Sequence, residues 1–295
     1  MKHSQPGILE ELPKHSRYLS FDIQAGVERE QLMAGLNELV EVVDGESVVV
    51  GCGLSLLHAL GTTIPGMRHL QVMSGAVIDI PSTPAALWCW LRGDDRGELF
   101  HLSRQLEDTL FPAFTLSHVL DAFLYKDSRD MSGYEDGTEN PQDEDAVATA
   151  IVSKQSKGMN GSSFVAVQQW LHDFETWQGM SEEEQDDIIG RHVSDNEEFD
   201  EAPESAHVKR SAQESYSPEA FVLRRSMPWV EGTDAGLNFV AFGHSFDAFE
   251  AILQRMLGTE DGISDALFKF TRPVNGAYFW CPPMKEGKLD LSLLG

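Results

Sequence analysis

Basic residues are scarce in this chain. In 295 residues, 22 Lys and Arg stand against 48 Asp and Glu, a formal net charge of −26. A surface this acidic repels nucleic acid and anionic membranes, so no nucleic-acid partner is expected. Long hydrophobic runs are missing too: nothing approaches the roughly 20 apolar residues that cross a bilayer, so no membrane partner is expected. The start, MKHSQPGILEELPKHSRYLSF, has neither the apolar core of a leader nor a twin arginine, which points to a cytoplasmic protein. Cysteine is rare. Cys52, Cys89 and Cys281 lie far apart and none forms a CxxC pair, so they read as reduced, partly buried thiols and a thiolate zinc site is disfavoured.

Other patterns fail as well. The ten histidines include no HxxxH or HExxH pair, so spacing singles out none of them. GCGLSL, after the run VVV, lacks the third glycine of a dinucleotide fingerprint and reads as a strand end. Residues 181–204 carry eleven acids and a single Arg without the EF-hand spacing, and read as a solvated helix and loop.

What is present is enough for a substantial core: 41% hydrophobic residues and 16 Phe, in a length that suits one large domain or two of about 150 residues. SRYLSFDI, ESVVVGCG and AALWCWLRG read as strands in the first half. Residues 28–43 place Leu32, Leu36, Leu39, Val40 and Val43 on one helical face. DDRGELFHLSRQLEDTL is a second helix, with Asp94 and Asp95 where N-caps are preferred. In the second half SSFVAVQQWLHDF, LNFVAFG and GAYFWCP read as strands and 246–257 as a helix. Two α+β units of similar build are expected.

Two stretches invite chemistry. SGYEDGTENP (132–141) reads locally as a turn, yet it frames the carboxylates Glu135, Asp136 and Glu139 with glycines that let something approach the backbone. FVLRRSMPW is strand-like with two adjacent arginines. Neighbours on a strand face opposite ways, so at least one of Arg224 and Arg225 can point inward, where it needs an anionic partner.

Taken together these stretches resemble the dye-decolorizing (DyP-type) haem peroxidases, and the length and start are similar to the compact bacterial cytoplasmic B-type branch. GYEDG (133–137) is similar to the family's GxxDG motif and is followed by its TENP. ESAHVKR resembles the segment that bears the proximal haem ligand, which makes that ligand His207. Seventeen residues on, RRSMP resembles the run with the distal arginine, Arg224. QPGILEELPKHSRYLSFDI, SSFVAVQQWLHDFETW and DALFKFTRPVNGAYFWCP extend the likeness over nearly the whole chain. Ser226 stands where some relatives have Asn, and the 181–204 segment is more charged than usual.

The resemblance implies an α+β fold of two ferredoxin-like halves, with antiparallel sheets and peripheral helices. Residues 1–145 would carry the distal loop at their end and 146–295 would bind one haem b per chain. A single axial histidine suffices for haem. It implies that His207 binds the iron through Nε2, with Asp265 accepting from Nδ1–H, and that Arg210 pairs with a propionate. Phe239 would be an apolar lid. Gly133 and Gly137 would let the loop lie close, and Asp136 and Arg224 would be the catalytic base and the fixed positive charge. The implied activity is reduction of hydrogen peroxide with oxidation of dyes, phenolics or similar one-electron donors, in a homo-oligomer of two or more chains. Large donors would have to react through surface Trp or Tyr. Haem handling on the same fold and a non-catalytic acidic interaction module are the alternatives; Asp136 and Arg224 together disfavour haem transport, which needs no such pair.

Overall fold

The computed structural model describes residues 3–75 and 77–295. The first half runs β1 (His15–Ile23), α1 (Arg29–Val42), β2 (Val48–Gly53) and α2 (Leu54–Ala59). A small hairpin, β3 (Met73–Ser74) and β4 (Asp79–Ile80), leads to β5 (Leu87–Gly93), α3 (Arg96–Leu110) and β6 (Phe114–Phe123). The second half begins with α4 (Asp143–Ala150), β7 (Ser163–His172), α5 (Phe174–Gln178), α6 (Glu182–Ile189) and α7 (His207–Arg210). Then come β8 (Leu223–Arg224), β9 (Met227–Glu231), β10 (Asp234–Gly243) and α8 (Asp247–Met256). Strands β11 (Thr271–Pro273), β12 (Ala277–Cys281), β13 (Met284–Lys285) and β14 (Lys288–Leu289) end the chain.

The helices form where periodicity and caps coincide. In α1, Leu32, Leu36 and Leu39 are buried on one face, and Glu28 and Gln31 close a capping box at its start. Asp95 caps α3 by accepting from the amides of Gly97 and Glu98. Every residue of β2 is buried, which explains why VVVGCG is an unbroken small and apolar run.

The two halves share one antiparallel ten-stranded sheet, ordered β6-β1-β5-β2-β12-β7-β10-β8, with β11 on β7 and β9 on β10. The seam is β2 against β12, where Trp280 pairs with Cys52. A Cβ on Gly51 would come within 2.7 Å of the Phe279 Cβ, so the close approach of these strands requires a glycine. Strands β6 and β9 also pack together, and the sheet curls toward closure. Its enclosed face carries Tyr18, Trp88, Trp90, Val240, Phe242 and Phe279; α1, α3 and α8 cover the other face.

Two elements depart from the sequence reading. FTLSHVLDAF forms β6, although its polar residues hid it: one side is exposed and only Phe114, Leu120 and Ala122 are fully buried. The acidic segment is not simply solvated. Ser181 and Glu184 form a capping box, the acids Glu182 to Glu184 occupy the first turn of α6, and Asp186, Ile188 and Ile189 are buried. Gly190 ends the helix at φ 89° and turns the chain inward to Arg191.

Candidate active site

A cavity of about 490 Å³ opens between the 130–139 loop, one face of β7 and β10, and the segments around His207 and α8. Its walls are mostly apolar and include Leu237, Phe239, Phe249, Leu253 and Phe270. Its polar groups include Asp136, Arg224, His207, His172 and Arg191. Among the described residues no cluster of three or more His, Cys, Asp or Glu side chains could hold a metal ion.

The loop is held by its own backbone and by an aspartate before it. Asp130 accepts from the Ser132 amide at 3.0 Å and meets His172 Nε2 with both carboxylate oxygens at 3.0 Å. Its backbone brackets the turn: its N–H donates to the Tyr134 carbonyl and its carbonyl accepts from the Gly133 amide. Burial pushes the Asp130 carboxyl up, but the His172 and Ser132 contacts together outweigh it and the net value lies below the usual aspartate range. Gly133 and Gly137 adopt φ of 101° and 84°, conformations that favour glycine. A Cβ on Gly137 would press on Asn140 Nδ2 at 3.0 Å, whereas one on Gly133 would meet only Val193 at 3.8 Å. Only Gly137 is therefore crowded.

The three loop carboxylates separate cleanly. Glu135 is bound by Arg129 at 2.9 Å and Asn196 at 3.0 Å, and Glu139 by Arg191 at 3.0 Å. Asp136 alone faces Arg224, with Nη1 to Oδ1 3.3 Å. Arg224 is placed from two sides. β8 pairs it with Ala241 of β10, and the Asn140 side chain both accepts from its amide at 2.8 Å and donates to its carbonyl at 3.0 Å. The TENP segment thus clamps the arginine to the loop. Arg225 points the other way, its guanidinium donating to the carbonyls of Ile8 and Leu9. Burial lowers its pKa to about 10. Ser226 is buried and does not line the cavity.

His207 stands at the first turn of α7. Its Nδ1 lies 2.7 Å from Asp265 Oδ2, and Nε2 has no hydrogen-bond partner among the described residues. Asp265 is 2% exposed and cannot swing, because its other oxygen accepts from the Leu267 amide at 2.8 Å. Gly137 and Phe239 line the same cavity. Arg210 does not. Its guanidinium is turned to Asp261, at 2.7 and 3.0 Å, and to the Arg255 carbonyl.

Three residues escaped the sequence reading. Arg191, in the acidic segment, lines the cavity and is paired with Glu139 and Glu198. His172, on β7, contacts Asp130 through Nε2 and Thr271 through Nδ1 at 2.7 Å. Tyr134 gives its hydroxyl to Asp186, which also contacts His192 Nδ1 at 2.8 Å. The inconspicuous signal for the first was a lone arginine amid eleven acids; the other two carried none.

A macrocycle with one axial ligand suits this cavity by its donor set. It offers a free imidazole nitrogen backed by a fixed carboxylate, broad apolar walls, and buried polar atoms without partners among the described residues: Gln168 Nε2, Trp170 Nε1 and Arg224 Nε.

Comparison with known proteins agrees. A family model described as Dyp-type peroxidase, C-terminal, matches residues 127–286. A dye-decolorizing peroxidase of Brevibacterium linens is 30% identical over 247 residues, covering 81% of this chain and 67% of the relative. One from Rhodococcus erythropolis is 28% identical over 291 residues, 93% of this chain and 85% of that one. Among solved structures, a dyp-type peroxidase protein from Shewanella oneidensis superposes with a TM-score of 0.87 at 26% identity, covering 100% of this chain and 98% of that one. A DypB variant from Rhodococcus jostii RHA1 in complex with heme gives 0.84 at 28% identity, over 93% and 94% of the two chains.

Proposed function

This chain belongs to the dye-decolorizing (Dyp-type) peroxidase family, and from that premise we propose how its own residues do the work of a haem peroxidase. The activity is reduction of hydrogen peroxide with oxidation of one-electron donors. Haem, when bound, supplies the redox centre for that exchange.

His207 is the iron ligand in this reading, supported by its unpartnered Nε2. Asp265 holds the Nδ1 proton and fixes the ring, which raises the basicity of Nε2. Phe239, with Leu237 and Phe249, lines the apolar wall that excludes water. Arg191 is better situated than Arg210 to meet an anionic edge of the cofactor, because Arg191 lines the cavity and Arg210 is occupied by Asp261. Arg210 then steadies the turn after α8 that leads to Asp265.

Asp136 is the proton-transfer group. Its carboxylate takes the proton from one peroxide oxygen and returns it to the departing one, and Gly137 keeps the loop within reach. Arg224 stabilises the negative charge that develops on the departing oxygen, in a position fixed by Asn140. Residues 1–145 and 146–295 work as two halves, the first contributing the Asp136 loop and the second Arg224 and His207. We place the protein in the cytoplasm, as a homo-oligomer, with small donors reacting at the cavity and large dyes at surface Trp or Tyr.

One observation carries this reading: the Asp136–Arg224 pair and an imidazole with a free Nε2 open on one cavity. The test is the rate at which peroxide changes the visible spectrum of the haem-loaded protein, by stopped flow. Asp136→Asn is expected to slow it by about 10² to 10⁴, and Arg224→Leu by roughly 10² to 10³. Wild-type rates in Asp136→Asn would remove the carboxylate from the mechanism.

A further inference from the structure

Strands β7 and β10 have a second face. Alternation sends Gln168, Trp170, Leu237 and Phe239 into the active-site cavity, and Val167 and Asn238 to the opposite side. There they line another cavity of about 300 Å³, on the enclosed face of the curled sheet. Tyr18, Trp88, Asn238 and Phe279 form its buried part, while Asp22, Thr83 and His118 are exposed at its rim.

Among the described residues, three side chains in this buried part carry polar atoms without a well-formed hydrogen bond: Tyr18 Oη, which has only the neighbouring Ser16 and Asn238 side chains near it, Trp88 Nε1 and Asn238 Nδ2. The three residues are 3%, 1% and 2% exposed. The same core satisfies its other indoles, Trp90 donating to Ser16 Oγ at 2.8 Å and Trp229 to the Trp170 carbonyl at 3.0 Å. Unpartnered buried donors are costly and call for a partner. The active-site cavity shows the same signature at Gln168, Trp170 and Arg224.

The donors define the ligand. An indole N–H and an amide Nδ2 can only donate. Burial pushes the Tyr18 phenol up, so it stays protonated and can donate too. The group they meet must be an acceptor. A carboxylate is disfavoured, because Asp22 sits at the rim, the chain carries −26, and the lining holds no Lys or Arg. The walls beside the donors, Leu120, Val167 and Phe279, are apolar. A cavity of roughly 150 Å³ already accepts benzene, so one aromatic ring with a substituent fits here.

We propose that this second cavity binds a small neutral aromatic carbonyl compound, its ring against Leu120, Val167 and Phe279 and its oxygen accepting from two or more of Tyr18, Trp88 and Asn238. The site is separate from the peroxide chemistry and shares only the strands between them.

Calorimetric titration of the haem-loaded, cyanide-ligated protein tests this with three probes. Acetophenone is expected to bind one to one, with ethylbenzene and benzoate each at least about tenfold weaker. Tyr18→Phe and Asn238→Leu should each weaken acetophenone by roughly 2- to 12-fold, the loss of one hydrogen bond. Phe239→Ala, in the other cavity, should leave its affinity unchanged. Tyr18→Phe removes a single oxygen, so it carries the test even where Asn238→Leu folds poorly. No binding at millimolar acetophenone would mean that water alone serves the donors, and ethylbenzene binding equally well would mean a plain apolar void. An affinity that follows Phe239→Ala instead of Tyr18→Phe would put the probe in the active-site cavity. Each of these three results overturns the proposal.

Discussion

Two histidine–aspartate pairs open on the same cavity and use the imidazole in opposite ways. His172 engages both ring nitrogens, Nε2 with Asp130 and Nδ1 with Thr271. His207 engages only Nδ1, with Asp265, and leaves Nε2 free. Both rings have a carboxylate within hydrogen-bond distance, so a neighbouring carboxylate does not identify a metal ligand. The ring nitrogen left over is what sets His207 apart from His172. His172 joins β7 and β11 to the loop that carries Asp136, a mechanical task, while His207 sits on a short helix with one ring nitrogen to spare.

Exchanging each ring for alanine tests that contrast, and the largest effect is expected at His207. His207→Ala should lose haem or displace its Soret band, with peroxidase turnover falling to background. His172→Ala should keep the band. Its cost is in stability, about 3 to 5 kcal/mol, because Asp130 is left charged, buried and without its ring partner. Thermal melts of the haem-free proteins read that cost directly. Loss of the Soret band in His172→Ala at a temperature where the protein remains folded would reverse the two assignments.

Much of this was legible beforehand. Periodicity located α1 and α3, and the short apolar runs located β2, β5, β7 and β12, because each buries a continuous stripe or face. The strand alternation at Arg224 and Arg225 allowed one to point inward, and Arg224 does. β6 stayed hidden because its exposed side breaks the apolar pattern. The Asn140 clamp stayed hidden for another reason: it links residues 84 positions apart, and no local rule reports a side chain that mimics a strand partner. Arg191 was masked by its surroundings. Eleven acids signal solvation, yet the buried Asp186 and Ile189 fix the segment's course.

A finer comparison replaces each aspartate by asparagine, which keeps an acceptor and removes the charge. In Asp265→Asn the amide can still accept from His207 Nδ1–H, so haem should remain bound. The weaker acceptor lowers the basicity of Nε2, and the expected loss is about 10- to 100-fold in haem affinity or turnover. A midpoint potential measured on the loaded protein should rise, since a less basic ligand stabilises the oxidised iron less. An unchanged potential would show that Asp265 only positions the ring.

The smallest effect is expected from Asp130→Asn, and it fades in acid. The carboxyl of Asp130 is held below the ordinary aspartate value in the folded protein. A depressed carboxyl stabilises the fold fully above its unfolded value of about 3.9, and that contribution is lost as the pH falls through the lower folded value. Asp186 is also depressed, because its contacts with Tyr134, His192 and the Val193 amide together outweigh burial. The wild-type melting temperature therefore falls steeply below about pH 4, and the variant separates one carboxylate from the rest. Asp130→Asn should melt lower than wild type at neutral pH, with the gap narrowing as the pH drops from 5 to 3. His172→Ala, which removes the partner of the same carboxylate, should narrow the gap as well. Parallel melting curves for wild type and Asp130→Asn across the whole range would mean that the loop is tethered by its backbone bonds alone, to Tyr134 and Gly133, and that the His172–Asp130 contact is incidental.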